Sequence, residues 1–159
     1  MSDRDDMIAT DNALSVEARR ALQMLVGMII PPSDEYAVPG ADDPQIFADI
    51  LAKAHELPAV IQGLKVLDEL SNARSGDGFC ALDEDDRIAL AEEFRRSQVS
   101  VVRVLVAITA QCYYIDDRVV EALGMEVRSP FPGGFTVEEG DWSLLEPVRK
   151  RPKMYRESP

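Results

Sequence analysis

The chain of 159 residues contains one histidine, two cysteines and one tryptophan, and each scarcity closes off a class of chemistry. With His55 alone, a histidine metal cluster or an imidazole proton relay has no second partner to work with. His55 itself falls near the end of a predicted helix, on its polar side, where the helix dipole and solvent account for it. Cys80 and Cys112 are far apart and form no CxxC pair, so neither a disulfide scaffold nor a thiolate metal site is expected; each reads as a small buried hydrophobe. No glycine-rich nucleotide loop, P-loop or HExxH motif is present. The acidic run "LDEDDR" lacks the alternating ligands and central glycine of a calcium loop and reads as a helix N-terminus. Asp116-Asp117 reads as a cap for the helix that follows, and "PGG" at 132–134 as a turn. No group in the chain is placed to catalyse, so the chain reads as non-catalytic.

Long apolar runs are missing too. The longest, "VSVVRVLVAITAQCYYI" at 99–115, is shorter than the ~20 residues that cross a bilayer and holds Arg103 and Gln111, so it reads as a core element and no membrane span is expected. The opening "MSDRDDMIATDN" has no basic start and no apolar stretch of a leader, which places the protein in the cytoplasm if Met1 is the native start; a periplasmic location within an exported complex is the alternative. Net charge is −12, unevenly spread: residues 1–148 carry 28 acidic and 12 basic side chains, whereas 149–159 carry 1 and 5. An acidic body excludes nucleic acid as a partner. The basic end suits either solvent or an acidic partner surface.

What the sequence does contain is helical patterning. Ser15 is placed to cap a helix with Val16, Leu22, Leu25, Val26, Ile29 and Ile30 near one face, ended by Pro31-Pro32. Asp43-Pro44 starts a second, with Ile46, Phe47, Ile50, Leu51 and Ala54 as its stripe. Leu57-Pro58 opens a third, which carries Val60, Ile61, Leu64, Leu67 and Leu70 until "SGDG" stops it. Asp83 caps a fourth, with Arg95 and Arg96 suited to its last turn. The 99–115 run favours a helix by length, and a short helix follows from Asp117 to Gly124.

From residue 125 onward the character changes. The last 35 residues hold 5 of the 10 prolines, together with Phe131, Phe135, Trp142, Tyr155, Leu144, Leu145 and Val148. Disordered tails are poor in such residues, which favours an ordered, extended arm. The expected fold is therefore all-α: an acidic flexible N-terminus at 1–14, a small orthogonal helical bundle at 15–124, and a long extended, non-regular C-terminal arm at 125–159.

The order of signals resembles a known family. The segments "IIPPSDEYAVPGADD", "GLKVLDELSNARSGDGFCALDEDDRIAL", "CYYIDDRVVEALG" and "GDWSLLEPVRKRPKMYR" are similar to those of the gluconate 2-dehydrogenase subunit 3 family, over roughly residues 15–156. The resemblance implies a small helical subunit that accompanies a large FAD-containing flavoprotein of the glucose-methanol-choline type, supporting its folding or stability. The flavoprotein oxidises an alcohol or sugar hydroxyl, and an electron-accepting third subunit is a further possible partner. It also implies no cofactor on this chain. The twin-arginine leader that many members supply has no counterpart, since Arg19-Arg20 lies inside an amphipathic helix.

The interface expected on this reading comprises Phe131, Phe135, Trp142, Leu145, Arg149, Arg151, Tyr155 and Arg156 in the arm, with Tyr113 and Tyr114 on the helical domain. Aromatic rings and arginines are the commonest interface anchors. The bland counterpart is an arm that covers the chain's own helices. A second class of function, a stand-alone ligand carrier or small enzyme, would use an interhelical pocket near Tyr113 and Tyr114, with Asp116 as a further polar group. For the tyrosine pair itself, one ring in the core and one at the surface is the expected arrangement.

Overall fold

The computed structural model describes residues 14–76, 78–129, 131–134 and 139–152. The described part of the chain is helical, with no strand among the described residues beyond an isolated antiparallel bridge between Ser33 and Val38. It divides into two compact units, Met1–Val127 and Arg128–Pro159. Residues 1–13 of the expected acidic N-terminus lie outside the described residues.

Among the described residues the first unit holds six helices, α1 (Val16–Ile29), α2 (Pro44–His55), α3 (Pro58–Ser75), α4 (Glu84–Ser97), α5 (Val99–Tyr113) and α6 (Asp117–Ala122), with a 3₁₀ turn, Phe79–Ala81, between α3 and α4. Their starts follow local chemistry. Ser15, Asp43, Asp83 and Asp116 each accept a hydrogen bond from a backbone amide of the first turn they precede, satisfying donors that have no intrahelical acceptor. Pro44 and Pro58 occupy first helical positions, where a missing N–H costs nothing. α3 ends at Gly76 in the left-handed region (φ +79°), a conformation that carries a Cβ penalty in other residues.

Five helices converge on one core. α5 packs against α1, α2, α3 and α4, so it is the element around which the others are arranged. Leu22 and Val26 of α1, Ile50 of α2, Val60 and Leu67 of α3, Phe94 of α4 and Leu105 of α5 are all buried in a single cluster. Removing each from water contributes about 1.5–3 kcal/mol before the entropy of ordering the chain is set against it. α3 and α5 approach closely at Gly63, where an added Cβ would lie 2.5 Å from Cγ1 of Val101.

The 99–115 run is a helix, but a core element on one side only. Val101, Leu105, Ile108, Thr109, Cys112 and Tyr113 are buried, whereas Val99, Arg103, Val106, Ala107 and Tyr114 are exposed. The second unit also differs from an extended, non-regular arm. Trp142–Leu145 forms a 3₁₀ turn that runs into one helical turn, α7 (Glu146–Arg149). Asp141 caps the 3₁₀ turn through its side chain, and a proline stands in the first turn of α7. Both are start signals too short-ranged to register as a periodic pattern.

Candidate partner-binding surface

The loop between α1 and α2 is fastened on several sides. Ser33 and Val38 exchange two backbone hydrogen bonds of 3.1 Å, and the Ala41 amide donates to the Ile30 carbonyl at 2.9 Å. Gly40 is required, since a Cβ there would run into the Asp42 carboxylate and approach Pro32 Cδ to 2.9 Å. The Gln23 side-chain amide donates to the Asp42 carbonyl at 2.9 Å, binding the loop to α1.

The far end of the loop meets α5 and α6. Tyr113 is 3% exposed, and its hydroxyl donates to the Pro39 carbonyl at 3.0 Å; burial raises its pKa. Arg118, in the first turn of α6, donates to Asp43 at 2.7 Å and to Asp116 at 3.0 Å, joining the capping residues of α2 and α6 through one guanidinium. The hydrogen bonds from Arg118 hold both carboxyls below their usual range, and the same bonds raise the pKa of Arg118. Asp116 is thus committed to a cap and an ion pair. Among the described residues no group of three or more histidine, cysteine or acidic side chains is arranged to hold a metal ion.

The tyrosine pair divides as its two environments require. Tyr114 is 55% exposed and meets Tyr113 edge to face, with ring centroids 5.2 Å apart. Of the two residues expected at the interface, Tyr114 is exposed, whereas Tyr113 is enclosed in the core and bonded to Pro39. Cys112 is buried, and Cys80, expected to be buried as well, is only partly so because it lines a groove. Burial raises the pKa of both thiols. His55 closes α2 and is half-buried.

In the second unit the expected interface residues are exposed. Phe131 is 85% and Trp142 68% exposed, and Leu144, Leu145 and Val148 also face solvent. Arg149 is engaged at 3.0 Å with Glu146 one turn before it, a surface pair worth about 0.3–0.5 kcal/mol; Arg151 is exposed. Phe135, Tyr155 and Arg156 lie outside the described residues. Trp142, Leu145 and Arg149 fall within one short stretch of turn and helix, Phe131 lies earlier in the same unit, and Tyr113 and Tyr114 belong to the helical unit.

A groove of about 1010 Å³ lies between α1, α3 and the 3₁₀ turn, bordered by Ala18, Leu64, Phe79 and Cys80, with Arg20 and Asp68 among its charged groups. It is distant in the chain from Tyr113 and Tyr114, where a ligand pocket was expected. No sequence pattern announces it, because it arises from the way three separate segments pack.

No curated protein and no solved structure matches the chain. The family model for gluconate 2-dehydrogenase subunit 3 matches residues 17–128, which is the helical unit from the first turn of α1 to the start of the second unit. Most of the chain lies within that match. The chain therefore belongs to the gluconate 2-dehydrogenase subunit 3 family, a family of dehydrogenase-complex subunits.

Proposed function

We propose that this chain is a non-catalytic small subunit that binds and stabilises a large FAD-dependent alcohol or sugar dehydrogenase or oxidase of the glucose-methanol-choline type. The observation that carries the proposal is the exposure of the second unit: every described residue from Arg128 onward is exposed, Phe131, Trp142 and Leu144 among them. Rings of this size bury about 150–250 Å² each when covered. In a dehydrogenase-complex subunit, the surface that covers them belongs to another chain. FAD and the reacting hydroxyl belong to that larger chain, and this one contributes binding energy and folding support.

Trp142 acts as an anchor on this reading. Its indole fills an apolar recess, its ring N–H finds an acceptor, and exposed neighbours such as Leu145 exclude water around it. The basic end of the sequence steers the encounter toward acidic groups on the partner. Co-expression with a large flavoprotein of the glucose-methanol-choline type from the same source tests the proposal. The expected product is a yellow complex far heavier than 17.6 kDa, from which Trp142→Ala releases the small subunit with a loss of more than ~2 kcal/mol. A colourless monomer recovered apart from a soluble, active flavoprotein would refute it.

The groove between α1 and α3 favours a second reading, in which the chain carries a small ligand of mixed polarity. On that reading the isolated chain retains a bound small molecule in native mass spectrometry, and loss of Trp142 changes nothing.

A further inference from the structure

Every lysine and arginine between residues 14 and 127 lies on a helix, from Arg19 on α1 to Arg118 on α6, and the connections between these helices hold none. Arg118 is further tied to Asp43 and Asp116. Arg128 is the first basic residue after residue 14 to stand off a helix, and it opens the second unit. The helical unit is closed off before it. Gly124, in the left-handed region (φ +74°), and Met125 donate their amides to the carbonyls of Glu121 and Val120 at 2.9 and 3.1 Å, the paired bonds that finish a helix. Val119 is the last member of the buried core, and every described residue from Glu121 onward is exposed. No helix or strand lies between Ala122 and Trp142 among the described residues. The Arg128 guanidinium donates to the Gly134 carbonyl at 2.6 Å, a contact at the surface.

We infer that the Arg128–Ser129 bond is a severing point of the unassembled chain: an endoprotease that cuts after arginine or lysine detaches the exposed rings there and leaves the helical unit folded. Hydrolysis breaks this peptide bond and adds one water, leaving a carboxylate on Arg128 and an amino group on Ser129. A protease of this class takes an extended stretch of chain, with the basic side chain in a pocket floored by a carboxylate. A bond inside a helix is therefore cut only after that helix opens, at a cost set by its local stability. Arg128 needs no helix to open; only its surface bond to Gly134 gives way. The basic side chains of the helical unit all carry the cost of opening, and the connections between its helices offer no site to this protease. Phe131, Trp142 and Leu144 lie beyond the bond, so one cut removes them together. A further step rests on the proposed function: a bound flavoprotein covers these residues and shields the bond, so that cutting selects chains that have not assembled.

Limited digestion of the full-length chain with trypsin, followed by intact-mass spectrometry, tests the inference. The earliest fragment that contains the helical unit is expected to end at Arg128 and to melt cooperatively within a few degrees of the undigested chain. Arg128→Gln, a substitution at an exposed position, keeps residues 129–149 attached under the same digestion, because the next basic residues are Arg149 and Lys150. With a glucose-methanol-choline-type flavoprotein from the same source present at about ten times its dissociation constant, hydrolysis after Arg128 slows about tenfold. Cuts within α1–α6 as early as the cut at Arg128, or a fragment with no cooperative melt, overturn the inference. Hydrolysis as fast in the complex as in the free chain overturns the shielding. A wild-type chain that binds no flavoprotein overturns the proposed function, whereas the severing point is decided by digestion of the free chain alone.

Discussion

The two units use the same apolar residue types to opposite ends. In the helical unit Leu22, Val26, Ile50 and Leu67 are fully enclosed, whereas in the second unit Phe131, Trp142 and Leu144 face solvent. Five helices supply enough facing surface to bury one another's stripes. A 3₁₀ turn followed by a single helical turn cannot, because a short segment has no second layer to close over it. The buried core therefore lies in the first unit, and the apolar residues of the second are exposed.

Substitutions that break the comparison should differ in size accordingly. Leu67→Ala removes an enclosed α3 side chain and should cost about 2–5 kcal/mol in chemical denaturation. Gly63→Ala forces a methyl against Val101 at the α3–α5 crossing and should cost about 1–3 kcal/mol by the same measurement. Arg118→Ala leaves the Asp116 carboxylate, with its side chain 5% exposed, without its cationic partner. The guanidinium is itself partly in water, so a loss of about 1–2 kcal/mol is expected, below that of a fully enclosed pair.

The same tie predicts a pH dependence. Arg118 holds Asp43 and Asp116 below their usual 3.8, so the folded chain takes up these protons less readily than the unfolded chain. Their contribution is complete above 3.8 and fades as pH falls through the depressed values. Melting temperature measured from pH 7 to pH 2 should drop more steeply at the acid end for wild type than for Arg118→Ala. The smallest effect belongs to Trp142→Ala, which should change the stability of the isolated chain by less than ~0.5 kcal/mol. A large loss there would mean that Trp142 supports its own chain.

Much of the helical unit was legible because its signals are local. Asp43-Pro44, Leu57-Pro58 and Asp83 start helices by chemistry that acts within one turn, and Gly76 stops one by its backbone freedom. What stayed hidden depends on distance in the chain. The Arg118–Asp43 pair joins residues 75 apart, and the groove beside Phe79 is made by segments that no pattern links. The exposed side of α5 was concealed differently: a mostly apolar run reads as a core element, and only the packed structure shows which side the other helices leave open. Tyr113 and Tyr114 look equivalent in sequence and are separated by one hydrogen bond to Pro39.

The most direct measurement is the mass and absorbance of the purified product after co-expression with a glucose-methanol-choline-type flavoprotein from the same source, by light scattering with in-line flavin detection. One species containing both chains and carrying flavin absorbance is expected. A colourless 17.6 kDa monomer eluting apart from an intact, active flavoprotein would contradict it.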